Sequence, residues 1–290
     1  MQLPNIEKGP LTRVAAIHDI SGFGKCSLTV ALPILSAAGI ETCCVPTSVL
    51  STHTGGFEGY TYRDLTDDLP AFTDHWASLD LHFASIYTGF LGSARQVDMI
   101  LDFIDKLGDD DTLVFVDPAM ADNGSLYAVF DMDMVRKMRE LCAKANLVIP
   151  NITEACFLLD EPYQEGPYTT EYIEGIVHRL ADMGPSKVVL TGVYFDADRL
   201  GAACYDKATG TIEYAFNETI PGQFHGTGDI FASFCLAGLM NGLSLIDATQ
   251  FAVDLTQGSI LRTVARQTVP REGVDFEGML PDMMKRLQLV

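Results

Sequence analysis

Val14-Ala15-Ala16-Ile17-His18-Asp19-Ile20-Ser21-Gly22-Phe23-Gly24-Lys25-Cys26-Ser27, continued by an apolar-periodic run to Ala38 and closed by Gly39, reads as a strand, a glycine-bearing turn and a helix. Residues 14–17 are a short apolar run. Residues 27–38 carry apolar side chains at spacings of three and four, and Gly39 stands where a helix C′ residue belongs. The alternation then recurs. Further strands are expected at 42–46, 83–87, 112–116, 147–149 and 188–191, and further helices at 94–107, 132–143 and 171–183, with Gly108 and Gly184 closing two of them. Strands alternating with helices imply an α/β fold: a doubly wound, mostly parallel central sheet with helices on both faces. Residues 202–205 and 212–216, separated by Lys207-Ala208-Thr209-Gly210, predict a late antiparallel hairpin. Helices over 228–240 and 245–266 and a short C-terminal helix complete one domain over 1–290. Ligands are expected at the carboxyl ends of the strands.

Composition narrows the classes. In 290 residues, 48% are hydrophobic and 20% charged, which excludes a disordered or fibrous chain. The balance of 19 basic against 39 acidic residues gives a formal charge of −20. So acidic a surface repels phosphate backbones and anionic lipid, so neither nucleic acid nor membrane is an expected partner. Seven cysteines, odd in number and without a C-x-x-C pair, predict reduced thiols in a cytoplasmic protein. The N-terminal residues lack the apolar core of a secretory signal, and the longest apolar stretch, 230–240, is about half of the roughly 20 residues that cross a bilayer.

Five segments could carry chemistry. The first turn approximates two phosphate-binding signatures and completes neither. Asp19 and Cys26 stand where a P-loop needs glycine and Ser or Thr, and Ser27 where a dinucleotide fingerprint needs its third glycine. It is either a tight turn or a ligand loop with Asp19 aimed at the crevice. Ser51-Thr52-His53-Thr54 follows the second strand and is either a polar loop or a site for a heteroaromatic ring. Asp117-Pro118 and Asp122 follow the fourth strand, where two carboxylates can reach a hydrated Mg²⁺; a simple turn explains them equally. Asn151 and Glu154 suit helix capping as well as ligand binding. The sharpest signal is Gly226-Thr227-Gly228-Asp229, which opens a long apolar helix. Free N–H groups at its positive end make an anion site, and an aspartate there can take a proton from an alcohol. A glycine turn with Asp229 as a cap is the plainer reading.

Together, the G-T-G-D turn, the D-P turn and the P-N-x-x-E segment, in this order, resemble the ribokinase-like fold, and more closely its vitamin B6 (pyridoxal/pyridoxamine) kinases, from about Arg13 to about Arg266. Ser51-Thr52-His53-Thr54 is similar to that family's S-N-H-T, Tyr87-Thr88-Gly89-Phe90 to its T-G-Y, and Tyr127 falls in the loop after the D-P turn. The resemblance implies ATP-dependent phosphorylation of the 5′-hydroxymethyl group of pyridoxal, pyridoxamine or pyridoxine, with Asp229 as base. Gly226, Thr227 and Gly228 would form the anion hole. Asp117, Tyr127, Asn151, Glu154 and Thr191 would line the ATP site, and Asp117, Asp122 and Glu154 would hold Mg²⁺, with a monovalent cation as an additional ligand. Asp19, Ser51, His53, Thr54 and Phe90 would face the ring, Lys25 could help meet phosphate charge, and a homodimer is expected.

One feature separates this chain from the pattern: Asp19 stands where B6 kinases commonly have a serine bonded to the ring. Asp19-Ile20-Ser21-Gly22 resembles the D-x-S-G opening of hydroxymethylpyrimidine (phosphate) kinases, whereas those kinases usually carry glutamine near Ser51 and cysteine in place of Asp229. Hydroxymethylpyrimidine is therefore the rival acceptor. A vitamer-binding sensor without turnover and a nicotinamide-dependent oxidoreductase built on Gly22 and Gly24 are the rivals from other classes.

Overall fold

The computed structural model describes residues 11–290 and contains a nine-stranded sheet. Its first unit is β1 (Arg13–Ser21), α1 (Leu28–Ala37) and β2 (Glu41–Leu50), after which a short edge strand, β3 (Tyr62–Asp64), turns back along β2. The chain then crosses β1 through α2 (Leu69–Ser78) and continues as β4 (Ser85–Thr88), α3 (Ala94–Leu107) and β5 (Leu113–Val116). A small two-stranded ribbon, β6 (Ala121–Asp122) and β7 (Ser125–Leu126), precedes α4 (Met132–Lys144), β8 (Leu147–Val148), α5 (Ile152–Leu159), α6 (Thr170–Asp182) and β9 (Lys187–Val193). The expected hairpin is β10 (Arg199–Asp206) with β11 (Thr211–Glu218), followed by α7 (Thr227–Met240), α8 (Leu245–Arg266) and the short α9 (Leu280–Arg286).

Strand order is β11-β10-β9-β8-β5-β4-β1-β2-β3. The six strands from β9 to β2 run parallel, and antiparallel strands border both edges. One buried cluster packs α3 to α6 on one face, through Val97, Phe103, Met138, Leu141 and Ile176. The other packs α1, α7 and α8 on the opposite face, through Ile34, Leu35, Phe234, Leu236 and Leu255. This is the doubly wound arrangement that the alternation predicts. Because β1 connects outward to β2 while β4 returns on its other side, the sheet has its switch point between β1 and β4, where such folds open a crevice.

One local expectation changes. Gly108 is not a left-handed helix stop: its φ is −85°, and a Cβ there would lie 2.7 Å from the Ile104 carbonyl, so close approach requires the glycine. Gly39, at φ +81°, does have the left-handed conformation expected of it. No helix of the described residues is long and apolar enough to cross a membrane.

Candidate active site

The parallel strands deliver their polar ends to one rim. Asp19 is buried at the end of β1, where it accepts a hydrogen bond from Ser21 Oγ at 3.1 Å. Asp117 follows β5, Asn151 follows β8, and Thr191 lies in β9 beside Asn151. Above them, α7 begins at Gly226, whose φ of +77° turns the chain into the helix. Its first in-register bond runs from Ile230 N–H to the Gly226 carbonyl, and no side chain caps this end. The N–H groups of Thr227, Gly228 and Asp229 therefore have no helical acceptor. A Cβ on Gly228 would meet nothing within 4 Å, so the helix mouth is open. Asp229 is the third helical residue, not its cap, contrary to the plainer sequence reading.

The turn after β1 is fitted to this mouth. A Cβ at Gly226 would come 2.0 Å from the Lys25 carbonyl, so only glycine admits the contact. Ser27 has φ +51° and ψ −132°, a conformation that costs a side-chain-bearing residue energy. In it, the Ser27 backbone N–H lies close enough to Asp229, and its hydroxyl to Asp19, to favour the ionised form of each carboxylate. Sequence reasoning registered Ser27 only as a missing glycine; the backbone is glycine-like there, but the hydroxyl is used.

Four carboxylates thus share the crevice. Burial raises the Asp229 pKa to about 7, opposed by the Ser27 N–H and reinforced by the charge of Asp19. Burial also pushes Asp117 well above the usual carboxylate range, aided by Glu154 and Asp229. Glu154 is raised to about 8 by burial, although it accepts backbone N–H groups from Asn151 at 2.9 Å and Met120 at 3.1 Å. Asn151 and Glu154 form a complete capping box on α5, and Asn151 Nδ2 also donates to the Ala121 carbonyl. No comparable hydrogen bond reaches the Asp117 carboxylate from the described residues. Burial raises the phenol pKa values of Tyr127 and Tyr87, with Glu154, Asp117 and Asp122 adding to the first and Asp117 and Asp229 to the second, so both rings lie within the field of these carboxylates; sequence reasoning did not single out Tyr87 as a site residue.

Other expected residues are placed differently. Lys25 reaches Glu277 at 2.7 Å and lies over the Phe276 ring, so it does not serve the helix mouth. His53 is satisfied by backbone: its Nε2–H donates to the Arg271 carbonyl at 2.7 Å and its Nδ1 accepts from Gly55 N–H at 3.1 Å. Ser51 Oγ accepts from Thr61 N–H, Thr54 is exposed, and Phe90 stacks on Phe130 at 5.3 Å. Asp122 is exposed and bonded to Asn123. Among the described residues, no group of three or more His, Cys, Asp or Glu is assembled to hold a metal. The pair that fits a cation is Asp117 with Glu154: hard oxygen donors whose mutual repulsion a cation would relieve. One or two carboxylates plus substrate phosphates are the usual Mg²⁺ set.

Comparison with known proteins accords with this geometry. A family described as phosphomethylpyrimidine kinase matches residues 32–270. The chain is 31% identical to a pyridoxal kinase of Arabidopsis thaliana over 63% of its own length and 60% of the plant protein's, so that match spans less than two thirds of the relative. It is similar to the structure of a Lactobacillus plantarum pyridoxal kinase, at 32% identity and TM-score 0.88, covering 97% of this chain and 99% of that one. A Bacteroides thetaiotaomicron protein, provisionally called a phosphomethylpyrimidine kinase, is 38% identical. Its form crystallised with pyridoxal covers 94% of this chain and 96% of its own, at TM-score 0.87. The resemblance to B6 kinases is borne out, and the chemistry is that of a phosphotransferase.

Proposed function

The chain belongs to the phosphomethylpyrimidine kinase family, and from that premise we propose that it phosphorylates the 5′-hydroxymethyl group of a vitamin B6 vitamer with ATP. The observation that carries this reading is Asp229 at the open, uncapped mouth of α7. In its ionised form Asp229 accepts the proton of the acceptor alcohol as the oxygen attacks the γ-phosphorus. The free N–H groups of Thr227, Gly228 and Asp229 take up charge on the transferring phosphoryl, which needs positioning and electrostatic stabilisation more than covalent help. Asp19, held by Ser21 and Ser27, orients the ring from the switch point. Asp117, Tyr127, Asn151, Glu154 and Thr191 form the nucleotide side. Asp117 and Glu154 would hold Mg²⁺, directly or through water, and the ion would supply positive charge that the crevice otherwise lacks.

The pyridoxal-containing relative at 38% identity supports a pyridine acceptor, while the family's own description keeps hydroxymethylpyrimidine as the second reading. ATP consumption measured in parallel with pyridoxal, pyridoxamine, pyridoxine and hydroxymethylpyrimidine separates them. The B6 reading expects at least one vitamer to exceed hydroxymethylpyrimidine in kcat/KM; the opposite ranking makes the protein a hydroxymethylpyrimidine kinase.

A further inference from the structure

The pairing of β1 with β2 slips opposite Asp19. His18 faces Pro46 and Ile20 faces Val49, so Thr47 and Ser48 together oppose one residue of β1. Such a bulge re-aims side chains, and bulges are over-represented beside active sites. Here it accompanies a hydroxyl left without a partner: Ser48 is fully buried, yet its Oγ makes no hydrogen bond. On the other flank of β1, Thr88 Oγ1 is likewise buried and unpartnered. A buried hydroxyl without a partner is costly, and native proteins keep few of them. Ser48 opposite the buried Asp19 carboxylate, with Thr88 opposite Ile17 on the other flank, gives the switch point a polar lining that a ligand atom can pair with.

The side chain that covers this subsite indicates what it accepts. Tyr62, on β3, pairs with Leu50 and so lies diagonally across from Ser48. Its hydroxyl is close enough to Gly92 that a Cβ there would come within 2.5 Å, and it is near enough to Ser48 to feel that hydroxyl, although no bond of good geometry joins the two, and it lies within the field of Asp19. Tyr62 is nevertheless 46% exposed, so nothing packs it down. An aromatic hydroxyl is thus the group that rests against the unpartnered serine in the free protein.

We propose that Ser48, under the cover of Tyr62 and beside Asp19, is a specificity-determining residue that selects acceptors by a hydroxyl on the aromatic ring, distinct from the alcohol that is phosphorylated. The proposal rests on the B6-kinase reading and deepens it. A ring hydroxyl entering as the Tyr62 phenol moves aside donates to the Asp19 carboxylate and accepts from Ser48 Oγ, which satisfies the serine. Pyridines bearing such a hydroxyl gain this bond; hydroxymethylpyrimidine, which has none, does not.

The test compares pyridoxine with 3-deoxypyridoxine, which lacks only the ring hydroxyl, in the wild type and in Ser48→Ala. The wild type is expected to favour pyridoxine by about tenfold or more in kcat/KM, and the variant to bring the two within about threefold, as loss of one buried hydrogen bond would. The ATP KM should be unchanged. The melting temperature of the ligand-free variant should equal or exceed that of the wild type, because an unsatisfied hydroxyl has been removed. A pyridoxine preference that persists undiminished in a folded Ser48→Ala overturns the assignment while leaving the kinase reading intact. A wild type that phosphorylates no B6 compound overturns both.

Discussion

In the proposed reaction Asp229 has to be a base at neutral pH in a crevice that resists charge. Burial and Asp19 raise its pKa to about 7, and the Ser27 N–H limits the rise. Asp229→Asn keeps the side chain's size and loses the proton acceptor. We expect kcat to fall at least about a hundredfold with little change in the ATP KM; a variant with near-normal kcat would return the search for a base to Asp19. Stability should change in the opposite direction. An acid whose pKa is higher in the folded chain than in the unfolded one binds the extra proton in the folded state between the two values, here from about pH 4 to about pH 7. Its stabilising contribution is complete below that window and is lost as pH rises through it. Melting curves without metal or ligand should therefore show Asp229→Asn gaining on the wild type between about pH 4 and about pH 7. A constant difference would mean that Asp229 titrates near the ordinary carboxylate range. Ser27, which ties Asp19 to Asp229 in a glycine-like conformation, was hidden from sequence reading because only the backbone torsion reveals why a serine stands there.

At the scale of elements, the mouth of α7 offers a paired experiment. Gly226 and Gly228 are two residues apart, but a Cβ at Gly226 would collide with the Lys25 carbonyl while one at Gly228 meets open space. Gly226→Ala should lower the melting temperature and activity together. Gly228→Ala should leave the melting temperature within about 2 °C and still cut kcat at least about tenfold, because the methyl group would occupy the proposed seat of the phosphoryl. Equal melting losses in both would show that Gly228 is structural. The same scale explains what could be read from sequence. Helices Ala94–Leu107 and Leu245–Arg266 match their expected bounds, since each has a serine at its N-cap and the first also has strong apolar periodicity. β1 and β2 extend four residues beyond their expected ends, where buried polar residues such as Asp19, Thr47 and Ser48 interrupt the apolar run to build the crevice. β3 is three exposed residues and the β6–β7 ribbon two residues per strand, too short for any periodic signal. α2 begins at Leu69-Pro70 after two aspartates, which reads as a turn. The carboxylates were visible as residue types at strand ends; which hydrogen bonds already occupied His53, Ser51 and Lys25 depended on Arg271, Thr61 and Glu277, remote in sequence.

Across the whole molecule, a formal charge of −20 surrounds a crevice that itself holds four carboxylates. Electrostatic repulsion should make the free protein responsive to divalent cations. Mg²⁺ alone is expected to raise the melting temperature of the wild type more than that of Asp117→Asn, and this variant should also need more Mg²⁺ or ATP for half-maximal activity. Identical titrations of wild type and variant would remove Asp117 from the metal site. Connectivity has a separate consequence. Asp19 comes from the first strand and Asp229 from the α7 helix, and Ser27 lies between them, its hydroxyl toward the first and its N–H toward the second. The polar loop after β2 is fastened later still, by His53 to Arg271, while Lys25 N–H bonds the Glu272 carbonyl. A chain still emerging from the ribosome therefore carries the acid of β1 long before its partner exists. The crevice is completed late in synthesis: a prematurely terminated chain that lacks α7 and Arg271 has neither Asp229 nor the fastening of the loop after β2.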